Sequence, residues 1–387
     1  MSKTIIDKLA DFGQSIWLDN LSRCLIESGK LKELAQMGVR GVTSNPTIFD
    51  KAISQSNDYD QRIAQLAKEG KSTFEIYDQL TVKDVQDAAD IFLPVYKKTR
   101  CLDGYVSLEV NPQLAHSVRE TIAEGKRLWK KVNRPNLMLK VPATEAGFSA
   151  IEELLSEGMN VNATLIFSEE QYSKTAQAYV RGIKRLEEKK GDLAAAHSVA
   201  SVFVSRIDTA VDALLDEASG LKGRAAAANT SLIFKKSREI FSSQEFRELK
   251  SKGANVQRPL WASTGTKNPA YSQIKYVSEL IAKGTVNTMP DNTLEAFLKS
   301  QEVKEALTVD ASGAVAAIDR LKGLGIDLNA VCATLFKDGL ASFENSFGSL
   351  LRSIEKKSQS VLAYSSPEQS RPRMIKRPIP TKLSGFS

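Results

Sequence analysis

Polar side chains that close short apolar runs are the residues of this chain best placed to do chemistry. They are Asp19, Thr43-Ser44-Asn45, Glu109, Lys140, Asn162 with Thr164, Ser201 with Arg206, and Ser263. Lys140 is the most telling, because it follows the run Leu137-Met138-Leu139. A charged lysine is expensive to bury, so an apolar setting favours the neutral amine, the form a Schiff-base nucleophile requires. Such chemistry also needs a proton shuttle for forming and breaking a carbinolamine. Glu109 and Thr164 close the preceding and following runs and are placed to hold a water beside Lys140. Asp19 is placed to take a proton from a substrate hydroxyl as a C–C bond breaks. Each residue alone has a plainer reading: Lys140 as a lysine snorkelling from a strand end to solvent, Glu109 and Asp19 as a cap or salt bridge at a loop start. Seven runs closed in the same way speak for a shared site.

The runs that position these residues are Ser15 to Leu18, Gly38 to Val42, Gly104 to Leu108, Leu137 to Val141, Met159 to Phe167, Val199 to Val204, Pro259 to Ala262 and Thr285 to Met289. They do not alternate, and helical patterns separate them, so they predict parallel strands buried on both faces. Eight such strands predict an α/β fold, a TIM (β/α)₈ barrel, in which functional residues lie at the C-terminal ends of the strands. Helices are expected over Ser56 to Glu69, Thr81 to Lys98, Pro112 to Lys130, Thr144 to Glu157, Ser168 to Lys189, Phe203 to Ala218 and Tyr271 to Lys283, with a capping box from Ser168 to Gln171. The connection from Thr43 to Gly104 has room for two helices, and Asn229 to Leu249 reads as an extra helical stretch. Ala330 to Lys356 is the most amphipathic segment after the last strand and is expected to pack on the barrel. The expected organisation is one catalytic domain over 1–360, with C-terminal helices, and a basic Pro-rich tail over 361–387.

Of 387 residues, 42% are hydrophobic and 26% charged, the balance of a globular enzyme with a sizeable core. No run approaches the roughly 18 apolar residues of a membrane span, and the N-terminus does not look like a secretory signal. Cys24, Cys101 and Cys332 lie far apart with no CxxC, which argues against a disulfide framework and a zinc site and makes the cytoplasm the expected compartment. His116 and His197 are the only histidines, so histidine-based triads and multi-histidine metal sites are poor candidates; both read as structural. The net charge of +7 would suggest nucleic acid if it were clustered on a folded face. Instead, Arg371, Arg373, Lys376, Arg377 and Lys382 face a single Glu368 in the tail, which also holds four of the twelve prolines. This stretch reads as a disordered basic extension.

Two segments resemble the signature motifs of transaldolases: Gly41-Val42-Thr43-Ser44-Asn45-Pro46-Thr47-Ile48-Phe49 and Leu137-Met138-Leu139-Lys140-Val141-Pro142-Ala143-Thr144. The stretches Met159 to Phe167 and Ser201 to Arg206 are similar to the family too, in the family's order. The resemblance implies Lys140 as the Schiff-base lysine, Glu109 and Thr164 as holders of a catalytic water, and Asp19 as acid/base. It also implies Asn45, Asn162 and Ser201 as sugar contacts and Arg206 with Ser263 as the phosphate site. The implied reaction transfers a dihydroxyacetone unit from sedoheptulose 7-phosphate or fructose 6-phosphate to glyceraldehyde 3-phosphate or erythrose 4-phosphate, in the non-oxidative pentose phosphate pathway. No metal or organic cofactor is implied, because the iminium is the electron sink. The implied partners are sugar phosphates, neither nucleic acid nor a membrane, with a homo-oligomer left open. Many family members carry an arginine just after the serine at Ser263. This chain instead reads Ser263-Thr264-Gly265-Thr266-Lys267, where Lys267 is either a phosphate contact or a solvated loop charge. The fructose-6-phosphate aldolase branch resembles this chain except for a glutamine in place of Glu109 and a tyrosine in place of Phe203. A non-catalytic sugar-phosphate binding barrel is the remaining alternative.

Overall fold

The computed structural model describes residues 4–300 and 302–364. Its centre is a closed barrel of eight parallel strands in sequence order: β1 (Gln14–Leu18), β2 (Gly41–Val42), β3 (Tyr105–Glu109), β4 (Leu137–Pro142), β5 (Val161–Ile166), β6 (Ser198–Phe203), β7 (Arg258–Ala262) and β8 (Thr285–Met289). Every strand residue is buried, as expected of strands that face the barrel interior on one side and helices on the other. The predicted strands and their order are therefore observed, with no end shifted by more than three residues.

Helix α1 (Ile5–Phe12) precedes the first strand, and α2 (Arg23–Glu27) and α3 (Lys30–Gln36) link it to β2. The next connection holds α4 (Pro46–Ser54), α5 (Asp60–Lys68) and α6 (Thr73–Lys98), three helices where two were expected. A Ser72–Glu75 capping box starts α6 eight residues earlier than predicted. Around the barrel follow α7 (Val118–Val132), α8 (Glu145–Ser156), α9 (Glu169–Glu188), α10 (Ser205–Asp212), α11 (Ala225–Phe241), α12 (Gln244–Ser251) and α13 (Lys275–Ser278). The expected capping box at Ser168 is present. Several expected helices are shorter or broken. The one expected over Phe203 to Ala218 is helical only over Ser205–Asp212, with a separate 3₁₀ turn over Glu217–Ser219. Pro112 starts only a 3₁₀ turn, and α7 begins anew after its N-cap Ser117. The stretch from Asn229 to Leu249 breaks after Phe241, where Ser243 caps α12. Tyr271 to Lys283 is turns and irregular chain except for the four residues of α13. After the barrel come α14 (Asp291–Leu298), α15 (Ser312–Gly323) and α16 (Leu328–Tyr364). Helix α16 packs on α4, α5, α6, α10 and β5, so the terminal helix lies against the barrel as expected. The predicted basic tail lies outside the described residues except for its first four positions, which continue α16. Among the described residues no helix is long and apolar enough to cross a membrane.

Where β2 passes the interior, glycine is required: a Cβ at Gly41 would stand 2.7 Å from the Trp17 ring and 2.9 Å from the Tyr105 carbonyl. Below this layer a buried ion pair closes the N-terminal end of the barrel. Arg258 Nη2 donates to Asp103 Oδ1 at 2.8 Å and to the Leu102 carbonyl at 2.6 Å, and Nη1 donates to Ser15 Oγ at 3.0 Å. Asp103 also accepts from Trp17 Nε1 at 3.1 Å and Ser15 Oγ at 2.7 Å. His197 sits at this same end with its ring 5.7 Å from that of Tyr105. Burial, with the Arg258 charge nearby, pushes its pKa down to about 4, so the imidazole is neutral and structural.

Candidate active site

At the opposite end, strand register brings the candidate residues together. Glu109 pairs with Lys140 across β3 and β4, and Lys140 with Asn162 across β4 and β5. Because side chains alternate along a strand, Ser107 with Glu109 and Asn162 with Thr164 share the face that Lys140 presents. Lys140 and Glu109 side chains are only 5% and 3% exposed. The lysine Nζ donates to the Ser44 carbonyl at 3.0 Å and stands 3.4 Å from Glu109 Oε2. This ion pair lacks hydrogen-bond geometry, and among the described residues neither Glu109 oxygen has a hydrogen-bond partner. Burial therefore dominates and pushes the Glu109 carboxyl up to about 7, against the opposing pull of Lys140. Thr164 Oγ1 is likewise buried without a partner. These three oxygens without hydrogen-bond partners, on the two strands that flank β4, are the polar equipment that a bound water needs.

Asp19 closes β1, and Thr43 Oγ1 donates to its Oδ1 at 2.8 Å while also meeting Thr288 Oγ1 at 2.8 Å. Burial raises the Asp19 pKa, with the Lys140 charge opposing. Both carboxyls are thus biased by burial toward holding a proton, with the Lys140 charge opposing in each case.

Above Lys140 opens a cavity of about 300 Å³. It is lined from the β1, β2 and β6 ends by Asp19, Asn45, Ser201, Phe203 and Arg206, and from the β7 end by Ser263 and Lys267. Glu109, Thr164 and Asn162 do not line it; they are buried in the barrel around the lysine. Asn162 spends both halves of its amide inside: Nδ2 donates to Ser107 Oγ at 3.0 Å and Oδ1 accepts from Ser201 Oγ at 2.6 Å. Asn45 N-caps α4, its Oδ1 accepting from the Ile48 amide at 3.0 Å, so the side chain that lines the cavity is also pinned by the helix it starts. Arg206 is half-buried, burial lowers its pKa, and its guanidinium lies over the Phe203 ring at 5.4 Å. Among the described residues it has no carboxylate partner. Such an arginine at a cavity wall suits an incoming anion. Lys267 is exposed at the rim.

Two backbone outliers flank the site. Ser263 has φ 54° and Leu165 φ 60°, the latter where β5 shifts register against β6 between Ala163 and Ile166. Left-handed backbone at non-glycine residues is costly and concentrates where a side chain must be re-aimed.

A family described as Transaldolase/Fructose-6-phosphate aldolase matches residues 16–354. The chain belongs to this family. It is 46% identical over 354 residues to a transaldolase of Saccharopolyspora erythraea, covering 90% of this chain and 96% of the relative. It is 46% identical over 357 residues to "Transaldolase 2" of Streptomyces coelicolor, with the same coverage. To a transaldolase of Trichodesmium erythraeum it is 42% identical over 366 residues, covering 90% of this chain and 96% of the relative. The chain is therefore an enzyme of the transaldolase/fructose-6-phosphate aldolase family.

Sequence reasoning for this family member missed part of the wall. Lys51 of α4, Thr288 of β8, and Ser342 with Phe343 of α16 also line the cavity. Phe343 places its ring centroid 5.7 Å from Lys140 Nζ. Ala330 to Lys356 reads as amphipathic in the sequence, but nothing in that pattern shows that one of its side chains reaches the lysine.

Proposed function

We propose that this enzyme is a transaldolase that transfers a dihydroxyacetone unit through a Schiff base on Lys140. The observation that carries the reading is a buried lysine at a strand end, bonded to one backbone carbonyl and 3.4 Å from a carboxyl that has no hydrogen-bond partner among the described residues. Lys140 attacks the donor ketone, and Glu109 with Thr164 holds the water that exchanges protons as the carbinolamine forms and collapses. A Glu109 carboxyl near pKa 7 gives and takes a proton with little bias at neutral pH. Asp19 removes the proton from the donor's C4 hydroxyl as the C3–C4 bond breaks and returns it to the acceptor's oxygen. Asn45, Asn162 and Ser201 hold the sugar hydroxyls, Asn162 through Ser201 from inside the barrel. Arg206, Ser263 and Lys267 bind the phosphate.

The proposed donors are sedoheptulose 7-phosphate and fructose 6-phosphate and the acceptors glyceraldehyde 3-phosphate and erythrose 4-phosphate, in the cytoplasm and the non-oxidative pentose phosphate pathway. Residues 1–360 act as one catalytic unit, which accords with α16 supplying part of the cavity wall. Glu109 and Phe203 favour transfer over the aldolase branch, where glutamine and tyrosine stand at these positions. Incubation with fructose 6-phosphate and erythrose 4-phosphate tests the reading. Sedoheptulose 7-phosphate is the expected product; free dihydroxyacetone as the main product would move the enzyme to the aldolase branch, and no turnover would leave a binding barrel.

A further inference from the structure

Helix α16 lies over the mouth of the barrel and delivers Phe343 onto the lysine. Cys332, Leu340, Phe343, Phe347, Leu350 and Ile354 are buried at helical spacing, so the rotation of the helix is set from Cys332 to Ile354. Its height is set as well. Cys332 Sγ lies 3.4 Å from the Phe167 carbonyl, and Ser346 Oγ meets Thr47 Oγ1 of α4 at 2.9 Å. Gly339, one turn before Phe343, sits so close to the barrel that a Cβ there would meet Leu165 Cδ2 at 3.2 Å and Arg206 Nη1 at 3.6 Å. Between these fixtures Phe343 is 2% exposed. Its ring stands 5.7 Å from Lys140 Nζ and edge-on to Phe203 at 6.5 Å. Phe203 meets Phe167 at 5.3 Å, so three rings in succession form one apolar wall beside the lysine.

We propose that Phe343 is a specificity-determining residue that, with Phe203, keeps bulk water from the bound three-carbon unit and so favours its transfer over its release as free dihydroxyacetone. This rests on the reading of Lys140 as the Schiff-base lysine. When the C3–C4 bond breaks, C4 leaves as an aldehyde, its hydroxyl proton passing to Asp19, and the bond's electron pair remains on the Lys140 adduct as an enamine. In transfer, C3 forms a bond to the acceptor's aldehyde carbon and the aldehyde oxygen takes the proton. In release, C3 takes a proton from solvent and Asp19 gives its own back to solvent. Both routes then end alike, water adding to the iminium carbon and Lys140 leaving as the amine. They differ in one step only, whether C3 gains a carbon or a proton. An apolar cover on the mouth side suppresses the proton route, while the water for the shared final step is held inside the barrel by Glu109 and Thr164.

A phenylalanine that merely filled the stripe of α16 would change stability and total rate but not the ratio of the two products. The test uses the full chain with fructose 6-phosphate and erythrose 4-phosphate, reading free dihydroxyacetone against sedoheptulose 7-phosphate, with borohydride trapping on the same samples. Phe343→Ala is expected to raise the ratio about tenfold or more and still trap at Lys140; Phe343→Leu, which keeps apolar bulk, stays within about threefold of wild type. If Phe343→Ala does not fold, Phe343→Tyr carries the test, since its hydroxyl brings polarity to the cover and is expected to raise the ratio too. A folded Ala or Tyr variant that traps at Lys140 with the wild-type ratio overturns the role of Phe343. A wild type that does not trap at Lys140 overturns instead the Schiff-base reading beneath it.

Discussion

At the N-terminal end of the barrel, Asp103 and Arg258 meet at 2.8 Å, and Ser15, Trp17 and the Leu102 carbonyl add further hydrogen bonds. At the C-terminal end, Glu109 and Lys140 stand 3.4 Å apart, and among the described residues neither carboxyl oxygen has a hydrogen bond. Both pairs are carboxyl and cation, and both are deeply buried. They differ in satisfaction. A buried polar group without a partner costs about 1–3 kcal/mol, so the lower pair is built to hold the scaffold together and the upper one is left reactive. The same contrast separates the two kinds of perturbed group: His197 below is held neutral, while Glu109 and Asp19 above are shifted toward accepting protons.

The contrast breaks first at Lys140. Lys140→Ala should lower turnover by roughly 10⁵-fold or more, the scale of removing a covalent nucleophile, without loss of thermal stability. A destabilised variant would show that the upper pair also holds the scaffold.

Glu109→Gln should slow turnover by roughly 10²–10⁴-fold. In wild type the acid limb of kcat/KM should have its midpoint near 7, and in the variant that limb should vanish. Stability carries the opposite signature. Below about 4.5 the carboxyl is protonated in both states; as pH rises toward 7 the unfolded chain loses that proton first, so the native state loses stability across this window. The variant lacks this loss and should melt at or above the wild-type temperature at pH 7.5.

Arg258→Met should do the reverse. Leaving Asp103 charged and unpaired should cost about 3–5 kcal/mol of stability, read by denaturant unfolding, while the folded fraction keeps its kcat. A large fall in kcat would couple the two ends and blur the division.

The smallest effects belong to the rim. Arg206→Ala should raise KM for phosphorylated substrates roughly 10- to 100-fold, the value of a charge-assisted contact, with less change in kcat. Activity on unphosphorylated fructose should barely change. Lys267→Ala should shift KM in the same direction by less, and no shift would make it a solvated loop charge.

Much of this was legible in the sequence because buried parallel strands write themselves as apolar runs, and a polar residue that ends such a run is conspicuous. Lys140, Glu109 and Asp19 announced themselves in this way. Helix starts were less legible: Ser72 with Glu75 is a capping signal hidden in a polar stretch, and Asn45-Pro46 starts α4 inside a motif read for its chemistry. The cavity's cover was not legible at all. Phe343 lies 203 positions after Lys140, and only the path of α16 over the barrel brings them together; spacing within a helix says which face is buried but not what that face meets. The satisfied base of the barrel escaped for the same reason, since Asp103 and Arg258 are joined by closure of the sheet.

Borohydride reduction in the presence of fructose 6-phosphate, followed by peptide mass mapping, tests the division between the two ends most directly. A reduced dihydroxyacetone adduct is expected on the peptide containing Lys140, absent from Lys140→Ala and retained in Arg258→Met. An adduct on any other lysine, or none in wild type, would contradict it.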